Sequence, residues 1–128
     1  MGRILIAEDD EDLRDLLVST LRKAGYQVVT ADSGAPCLRK AVDEKPDLIL
    51  LDVMLPDIPG TEICRRLRSD STTETTPVIM LSAKAAEEDR ILGLELGADD
   101  YVTKPFSPRE LMVRIGKVLE RTRGRTMQ

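Results

Sequence analysis

The sequence contains no histidine and no tryptophan, and it has only one phenylalanine and two tyrosines among 128 residues. Without histidine, the chain offers no imidazole as a general base, a metal ligand or a phosphoryl carrier. A metal site in this chain would therefore use oxygen ligands, which favour Mg²⁺ or a similar hard cation. The shortage of aromatic rings predicts an aliphatic core and argues against a surface that stacks nucleic-acid bases.

Long apolar runs, metal-type cysteine spacing and an excess of positive charge are also absent. Cys37 and Cys64 are isolated in the sequence, so we interpret them as buried core thiols. No run approaches the roughly 18 apolar residues of a membrane span, and a strand predicted from Arg3 leaves no room for a signal peptide. We therefore expect a cytoplasmic protein without membrane contact. The net charge of −4 argues against direct nucleic-acid binding by this domain.

The most informative stretch is residues 48–60, in which an apolar run stops at Asp52 and a turn follows. Four consecutive apolar residues before Asp52 predict a strand that is buried on both faces. Asp52 would then lie at the edge of a sheet where open parallel α/β folds bind their ligands. Aspartate also ends strands simply as an Asx-turn or a helix cap, so this position alone supports a structural role as well as a chemical one.

Strand patterns and helix patterns alternate along the whole chain. Strands are predicted at residues 3–7, 27–31, 48–52, 77–81 and 99–102, and helices at about residues 11–24, 35–44, 61–68, 86–96 and 108–121. This alternation predicts a parallel sheet with helices on both faces. A chain of 128 residues is long enough for one domain with a proper core. We assign residues 1–121 to that domain and residues 122–128 to a C-terminal tail or the start of a linker.

Polar side chains follow four of the five predicted strands. Glu8 and Asp9 follow the first, Asp52 ends the third, and Ser82 and Lys104 follow the fourth and fifth. Parallel strands bring all these ends to one edge of the sheet, where crowded carboxylates would repel one another or require a divalent cation. An ionised aspartate beside a metal ion and a lysine is suited to accept a phosphoryl group, so Asp52 is the candidate nucleophile.

The same residues lie in segments that resemble the receiver domain of two-component response regulators. The resemblance covers about residues 3–121, through IAEDD at residues 6–10, LLDVMLP at residues 50–56 followed by Gly60, MLSA at residues 80–83 and GADDYVTKPF at residues 97–106. It implies a doubly wound, flavodoxin-like (βα)5 fold whose five parallel strands have the order 2-1-3-4-5.

The resemblance also implies a role for each matching position. Asp52 would be the phosphoacceptor, and Lys104 and Ser82 would bind the phosphoryl group. The expected ligands of Mg²⁺ or Mn²⁺ are Asp9, Asp52, the Met54 backbone carbonyl and, through a water molecule, Glu8. The acid one position after the pair, Asp10, is interpreted as a helix-start residue and not as a ligand.

Further expectations concern conformational switching. By resemblance, Ser82 and Tyr101 are the switch residues, and the peptide bond between Lys104 and Pro105 is cis. A phosphoryl group on Asp52 would draw the Ser82 loop inward and so convert a covalent modification into a change of shape. The domain would catalyse only its own phosphorylation and a slow dephosphorylation, which makes it a signalling switch and not a metabolic enzyme.

By resemblance, the expected partner is a sensor histidine kinase. Because the chain has no histidine to carry the phosphoryl group itself, the donor must be another protein or a small phosphodonor. The last three elements are similar to receivers of the OmpR/PhoB type, which implies a phosphorylation-dependent homodimer through helix 4, strand 5 and helix 5. The predicted face of helix 4, strand 5 and helix 5 consists of Arg90, Ile91, Leu94, Asp100, Glu110, Met112 and Arg121, with Arg90 pairing with Glu110 and Asp100 with Arg121. These charges equally fit two solvated helices.

One departure from that pattern is Gly116, where the OmpR/PhoB type often has a basic residue and where glycine weakens the helix. The resemblance leaves open whether a DNA-binding output domain follows residue 128, in which case the protein would regulate transcription.

Two alternative functions are a phosphatase and a pseudo-receiver. A haloacid dehalogenase-type phosphatase uses an aspartate nucleophile and a second aspartate two residues later as a general acid. That position here is Met54, which donates no proton. A pseudo-receiver that binds partners without being phosphorylated would not need the complete set of Asp9, Asp52, Ser82 and Lys104. The sequence therefore favours a phosphorylated receiver over both.

Overall fold

The computed structural model describes residues 2–83 and 87–126. Its strands are β1 (Arg3–Ala7), β2 (Gln27–Ala31), β3 (Leu48–Asp52), β4 (Val78–Ser82) and β5 (Asp100–Thr103). Its helices are α1 (Glu11–Lys23), α2 (Gly34–Asp43), α3 (Gly60–Ser69), α4 (Glu87–Glu95) and α5 (Pro108–Thr126). No helix in the described part of the chain is both long enough and apolar enough to cross a bilayer.

The five strands form one parallel sheet in the order β2-β1-β3-β4-β5. This arrangement confirms the predicted fold class and strand order. β3 lies at the centre between β1 and β4, and all five of its residues are buried, as the uninterrupted apolar run predicted. Asp52 is the last residue of this central strand, so the fold carries its carboxylate to the middle of the carboxyl edge of the sheet.

Alternate residues of the strands face two separate halves of the core. In β1, Ile4 and Ile6 pack on the side of α1 and α5, whereas Leu5 and Ala7 pack on the side of α2 and α3. Both cysteines are buried on the second side, which confirms their interpretation as core thiols. The aliphatic core expected from the composition is therefore divided into two layers by the sheet.

The helix signals in the sequence mostly act as predicted. Asp10 is the N-cap of α1 and accepts a hydrogen bond from the Leu13 N–H at 3.1 Å, which confirms it as a helix-start residue. Gly25 follows the end of α1 with φ +97°, a conformation that glycine adopts without strain. Ser107 directly precedes α5, and its Oγ accepts a hydrogen bond from the Glu110 N–H at 3.3 Å, which caps the start of that helix.

The predicted end of the last helix is wrong. α5 continues to Thr126, five residues beyond the predicted end at residue 121. Thr122 is buried, and its hydroxyl donates to the Leu119 carbonyl at 3.1 Å, so the helix remains packed on the domain at that point. A threonine whose hydroxyl bonds to its own helix is buried without breaking it, although it interrupts the apolar pattern. The domain boundary at residue 121 remains a prediction.

Candidate functional site

The acidic residues that follow β1 and end β3 meet at the carboxyl edge of the sheet. Glu8 and Asp9 come directly after β1, and Asp52 ends the neighbouring strand β3. Each of the three offers one carboxylate oxygen, and these oxygens lie within 4.8 Å of one another. Glu8, Asp9 and Asp52 form what we call the acidic cluster. Its donor atoms are all carboxylate oxygens, the ligands that Mg²⁺ prefers.

Lys104 directly follows the carboxyl end of β5, and its side chain extends to the acidic cluster. Its ammonium nitrogen lies 2.8 Å from Glu8 Oε1 and 3.1 Å from Asp52 Oδ2. The backbone N–H of Lys104 donates to the Ser82 carbonyl at 2.7 Å, which joins the start of the loop after β5 to the end of β4. The structure thus brings together the charged groups that the sequence placed at strand ends.

The Asp52 carboxylate is held from two sides. Only 4% of the residue is exposed, and Oδ1 accepts a hydrogen bond from the Met54 N–H at 2.9 Å while Oδ2 faces Lys104. The bond to Met54 is an Asx-turn, the structural role that the sequence also allowed. The two interpretations are compatible, because the turn orients the same carboxylate that the lysine contacts. The Met54 side chain itself is exposed and takes no part in these bonds.

Burial and neighbouring charges give the three ionisable groups different pKa values. Burial, together with the adjacent Asp52, raises the pKa of Glu8 to about 7. Burial also opposes ionisation of Asp52, but hydrogen bonds from Glu8, Met54 and Lys104 outweigh it and lower its pKa. For Lys104, burial is outweighed by its hydrogen bonds to both carboxylates, so its pKa is raised. At neutral pH Asp52 is therefore an ionised carboxylate beside a charged ammonium.

The two predicted switch residues are both buried. Ser82 is the last residue of β4, directly between the ends of β3 and β5. Tyr101 lies in β5 under α4, where a Cβ added to Gly93 would come within 3.0 Å of the tyrosine ring. The peptide bond between Lys104 and Pro105 is cis. Ser82 therefore lies at the site, whereas Tyr101 lies beneath the neighbouring helix.

The predicted α4–β5–α5 face is partly engaged within the chain. Asp100 accepts hydrogen bonds from Arg114 at 3.1 and 3.0 Å, and Glu110 accepts one from the same arginine at 3.2 Å. Sequence reasoning missed Arg114, although its position four residues after Glu110 on a helix is a recognisable ion-pair signal. Two of the acids assigned to contacts between copies thus have a partner in their own chain.

The apolar part of the same face is exposed in α4. Ile91 is 45% exposed and Leu94 is 43% exposed, whereas Met112 is half-buried and packs against the core. Arg121 is exposed, and the side chain of Arg90 lies outside the part of the chain that the structure describes. The face therefore combines two exposed aliphatic residues with charges on its rim, and its role in a dimer remains a prediction.

Two further polar residues support the site and were missed from the sequence. Arg14 in α1 donates to the Glu8 carbonyl at 2.9 Å and so fixes the backbone of the acidic pair. Asp57, in the loop after β3, accepts hydrogen bonds from the N–H groups of Gly34 and Ala35 at the start of α2. These bonds, with those from the loop itself, lower the pKa of Asp57. Neither contact leaves a pattern in the sequence, because each depends on how a loop and a helix meet.

The sheet has the strand order 2-1-3-4-5, and its carboxyl edge carries a buried aspartate, an acidic cluster and a lysine. This combination is typical of a receiver domain in a signalling protein. Residues 4–116 match the model of the family described as "Response regulator receiver domain". The chain belongs to this family. The match confirms the resemblance inferred from the sequence and does not favour the phosphatase or pseudo-receiver alternatives.

Relatives of this chain are named as transcriptional regulators. The chain is 51% identical over 120 residues to the alkaline phosphatase synthesis transcriptional regulatory protein PhoP of Bacillus subtilis, covering 94% of this chain and 49% of that protein. It is 50% identical over 119 residues to the phosphate regulon transcriptional regulatory protein PhoB of Pseudomonas aeruginosa, covering 93% and 52%. The chain thus spans about half the length of these curated relatives.

Solved structures give the same assignment. A CheY-like receiver domain from Methanospirillum hungatei is 32% identical with a TM-score of 0.91, covering 98% of each chain. The BeF3-activated N-terminal receiver domain of RstA from Klebsiella pneumoniae is 35% identical with a TM-score of 0.85, covering 91% of this chain and 97% of that one.

Proposed function

We propose that this receiver domain is a Mg²⁺-dependent phosphoacceptor that takes a phosphoryl group on Asp52 from a phosphohistidine of a sensor kinase. The observation that carries the proposal is the position of Asp52, whose Oδ2 lies 3.1 Å from the Lys104 ammonium within the acidic cluster. A low pKa keeps this buried carboxylate ionised, as a nucleophile must be.

Mg²⁺ fits the donor set of the acidic cluster. Three carboxylate oxygens within 4.8 Å of one another form a negative, oxygen-only pocket, and a hard divalent cation would offset their repulsion. Asp9 and Asp52 would be direct ligands, with the Met54 carbonyl as a third oxygen and Glu8 acting through water. When bound, the ion would offset the negative charge that the phosphoryl oxygens bring to the site. Mn²⁺ would serve as a substitute with the same ligands.

Side chains of this domain would form the new bond and bind the oxygens of the phosphoryl group. An Asp52 oxygen forms the new bond to phosphorus while the bond from phosphorus to the histidine nitrogen breaks, and that nitrogen keeps the electron pair. Lys104, whose ammonium contacts Asp52, would bind a phosphoryl oxygen as a point-like donor. Ser82, at the end of the adjacent strand, would hydrogen-bond another oxygen and draw its loop inward. Tyr101 would respond to that movement under α4.

Slow loss of the phosphoryl group follows from the residue two positions after the nucleophile. Met54 occupies that position, and its thioether side chain has no proton to donate when the phosphoryl group on Asp52 is hydrolysed. The domain would therefore store the phosphoryl group for signalling. Self-phosphorylation and slow self-dephosphorylation would be its only catalytic activities.

The output of the whole protein is inferred from its relatives. PhoP and PhoB are named as transcriptional regulatory proteins and are about twice as long as this chain. We infer a cytoplasmic regulator in which this receiver, ending near residue 121, controls a DNA-binding output domain. Phosphorylation would favour a homodimer through the α4–β5–α5 face, because an isologous contact would bury the exposed aliphatic residues of one copy against the same face of the other.

The phosphorylation chemistry is tested with small phosphodonors. Acetyl phosphate and phosphoramidate, each with Mg²⁺, are expected to add one phosphate to the wild type and none to Asp52→Asn, as measured by intact-protein mass spectrometry. EDTA should abolish labelling of the wild type. Asp70→Asn serves as a matched control, because Asp70 is an exposed aspartate at the end of α3 and is not part of the acidic cluster. Equal labelling of the wild type and Asp52→Asn would end the proposal.

A further inference from the structure

A single carboxylate in the loop after β3 receives three backbone hydrogen bonds. Asp57 Oδ1 accepts from the Gly34 N–H at 2.6 Å and from the Ile58 N–H at 2.9 Å, and Oδ2 accepts from the Ala35 N–H at 2.9 Å. Gly34 and Ala35 are the first two residues of α2, and they precede Asp57 by 23 and 22 positions in the sequence. The loop that leaves the phosphoacceptor strand is therefore tied to the start of another helix.

The start of α2 depends on this external carboxylate. Its N-cap residue, Ser33, makes no side-chain capping bond, and the Ser33 hydroxyl donates to the Asp32 carboxylate. The third helical residue is Pro36, which has no N–H, and the Cys37 N–H already bonds to the Ser33 carbonyl at 3.2 Å. The free N–H groups of the first turn are thus those of Gly34 and Ala35, and Asp57 accepts from both.

Close packing accompanies the contact between the loop and α2. A Cβ added at Gly34 would come within 2.9 Å of both Ile58 Cβ and Ile63 Cδ1, and within 3.1 Å of Asp57 Oδ1. The first residue of α2 therefore approaches the loop more closely than any larger residue would allow. This fit leaves the tip of the loop little room to move while the Asp57 bonds are made.

The base of the same loop adjoins the phosphoacceptor. The Gly60 N–H donates to the Val53 carbonyl at 2.8 Å, which closes residues 53–60 into a compact loop. A Cβ at Gly60 would lie 2.8 Å from the Asp52 carbonyl oxygen, so the two ends of the loop are packed together. Within this base, the Met54 N–H donates to Asp52 Oδ1 and sets the orientation of the carboxylate.

We propose that Asp57 is a positioning residue for the phosphoacceptor: by tying the tip of the loop to α2, it holds Met54 where its N–H orients Asp52 and its carbonyl can face the metal site. This inference rests on the proposed function. Without the Asp57 carboxylate, the loop keeps its closed base and the core packing of Leu55 and Ile58 but loses its hydrogen bonds to α2, and Met54 samples positions that misalign the nucleophile. Partners that orient metal ligands and nucleophiles in this way typically contribute a factor of 10–100 in metal affinity or activity.

A helix cap with no influence on the site is the competing explanation, and a second variant separates the two. In Asp57→Ala/Ser33→Asp, a carboxylate at the N-cap of α2 can bond to the Ala35 N–H, which restores the cap without touching the loop. The Asp57→Ala variant should lose roughly 5 °C of thermal midpoint, and the double variant should recover most of that loss. The positioning role, in contrast, requires that the double variant remain impaired.

The experiment compares the wild type, Asp57→Ala, Asp57→Asn, the double variant and Asp70→Ala, which also removes an exposed loop aspartate. Initial rates of labelling by acetyl phosphate are measured over a range of donor and Mg²⁺ concentrations. Asp57→Ala and the double variant should show a maximal rate about tenfold lower and weaker apparent Mg²⁺ binding. Asp57→Asn, which keeps one acceptor oxygen, should be intermediate, and Asp70→Ala should match the wild type. A wild-type rate in Asp57→Ala, or recovery of rate together with stability in the double variant, would overturn the inference.

A titration with Mg²⁺ alone keeps this inference distinct from the phosphorylation proposal. Backbone amide NMR signals of Asp52 and Met54 should shift in Asp57→Ala and in the double variant, and both proteins should bind Mg²⁺ about tenfold more weakly than the wild type. If the wild type accepted no phosphate, the proposed function would fail while this titration still reported on Asp57. Unchanged Met54 signals and unchanged Mg²⁺ affinity in Asp57→Ala would refute the positioning role.

Discussion

The Lys104 ammonium nitrogen lies 3.1 Å from Asp52 Oδ2, although 52 residues separate the two in the chain. β4 lies between the strands that carry them, so neither local sequence nor strand pairing joins the two residues directly. The lysine crosses the end of β4 and reaches both Asp52 and Glu8. One cation thus contacts two buried carboxylates at the carboxyl edge of the sheet.

Replacing this lysine should slow phosphorylation without unfolding the domain. Lys104→Met removes the donor to the phosphoryl oxygen, and we expect the initial labelling rate with acetyl phosphate to fall by roughly 10–100-fold. Lys117→Met is the matched control, because Lys117 is exposed on α5 and should keep the wild-type rate. Far-UV circular dichroism establishes that both variants are folded. Equal rates in the two variants would show that Lys104 has no role in the transfer.

Two glycine-to-alanine substitutions should change stability in opposite directions. A Cβ at Gly60 would lie 2.6 Å from the Val53 Cα, so Gly60→Ala forces backbone apart and should destabilise the domain by about 1–3 kcal/mol. A Cβ at Gly116 meets nothing within 4 Å, and this residue is inside α5. Gly116→Ala should therefore stabilise the domain by about 0.5–1 kcal/mol. Urea unfolding of the three proteins measures both effects, and a stabilised Gly60→Ala would contradict the close packing.

Stability should fall at alkaline pH because of the Cys37 thiol. Burial raises the pKa of Cys37 from its ordinary value of 9.0 to about 12. The thiol then ionises more readily in the unfolded chain than in the folded one. Its contribution to the free energy of unfolding is therefore complete below about pH 9 and is lost as the pH rises towards 12. The wild type should lose roughly 1 kcal/mol per pH unit in this range relative to Cys37→Ala. Parallel pH profiles of the two proteins in chemical denaturation would contradict a buried, protonated Cys37.

Dimer formation should require the exposed aliphatic residues of α4. With beryllofluoride and Mg²⁺, which mimic the phosphorylated state, the wild type should double its mass in light scattering, whereas Leu94→Glu should remain a monomer because it places charges in an apolar contact. Leu16→Glu is the matched control, since Leu16 is an equally exposed leucine on α1, and it should still dimerise. An unchanged monomer mass of the wild type at high concentration would reject the α4–β5–α5 interface.

Much of the fold and of the site was predictable because the signals are local. The apolar run before Asp52 predicted a buried strand, and all five residues of β3 are buried. Strand ends of a parallel sheet share one edge, which was enough to predict that Glu8, Asp9 and Lys104 lie near Asp52. The end of α5 was misjudged because Thr122 is polar in sequence yet buried in the structure, with its hydroxyl bonded inside its own helix.

The sequence by itself determined which residues form the acidic cluster and on which edge of the sheet they lie, because hydrophobic periodicity and parallel topology suffice for that. Only the tertiary structure decided how these groups are held. Three sets of hydrogen bonds join separate elements: Asp57 accepts from the start of α2, Arg14 donates to the Glu8 carbonyl, and Arg114 donates to Asp100. Such bonds require that packed helices and loops be positioned to within roughly a few tenths of an ångström, and no residue pattern along the chain encodes those positions.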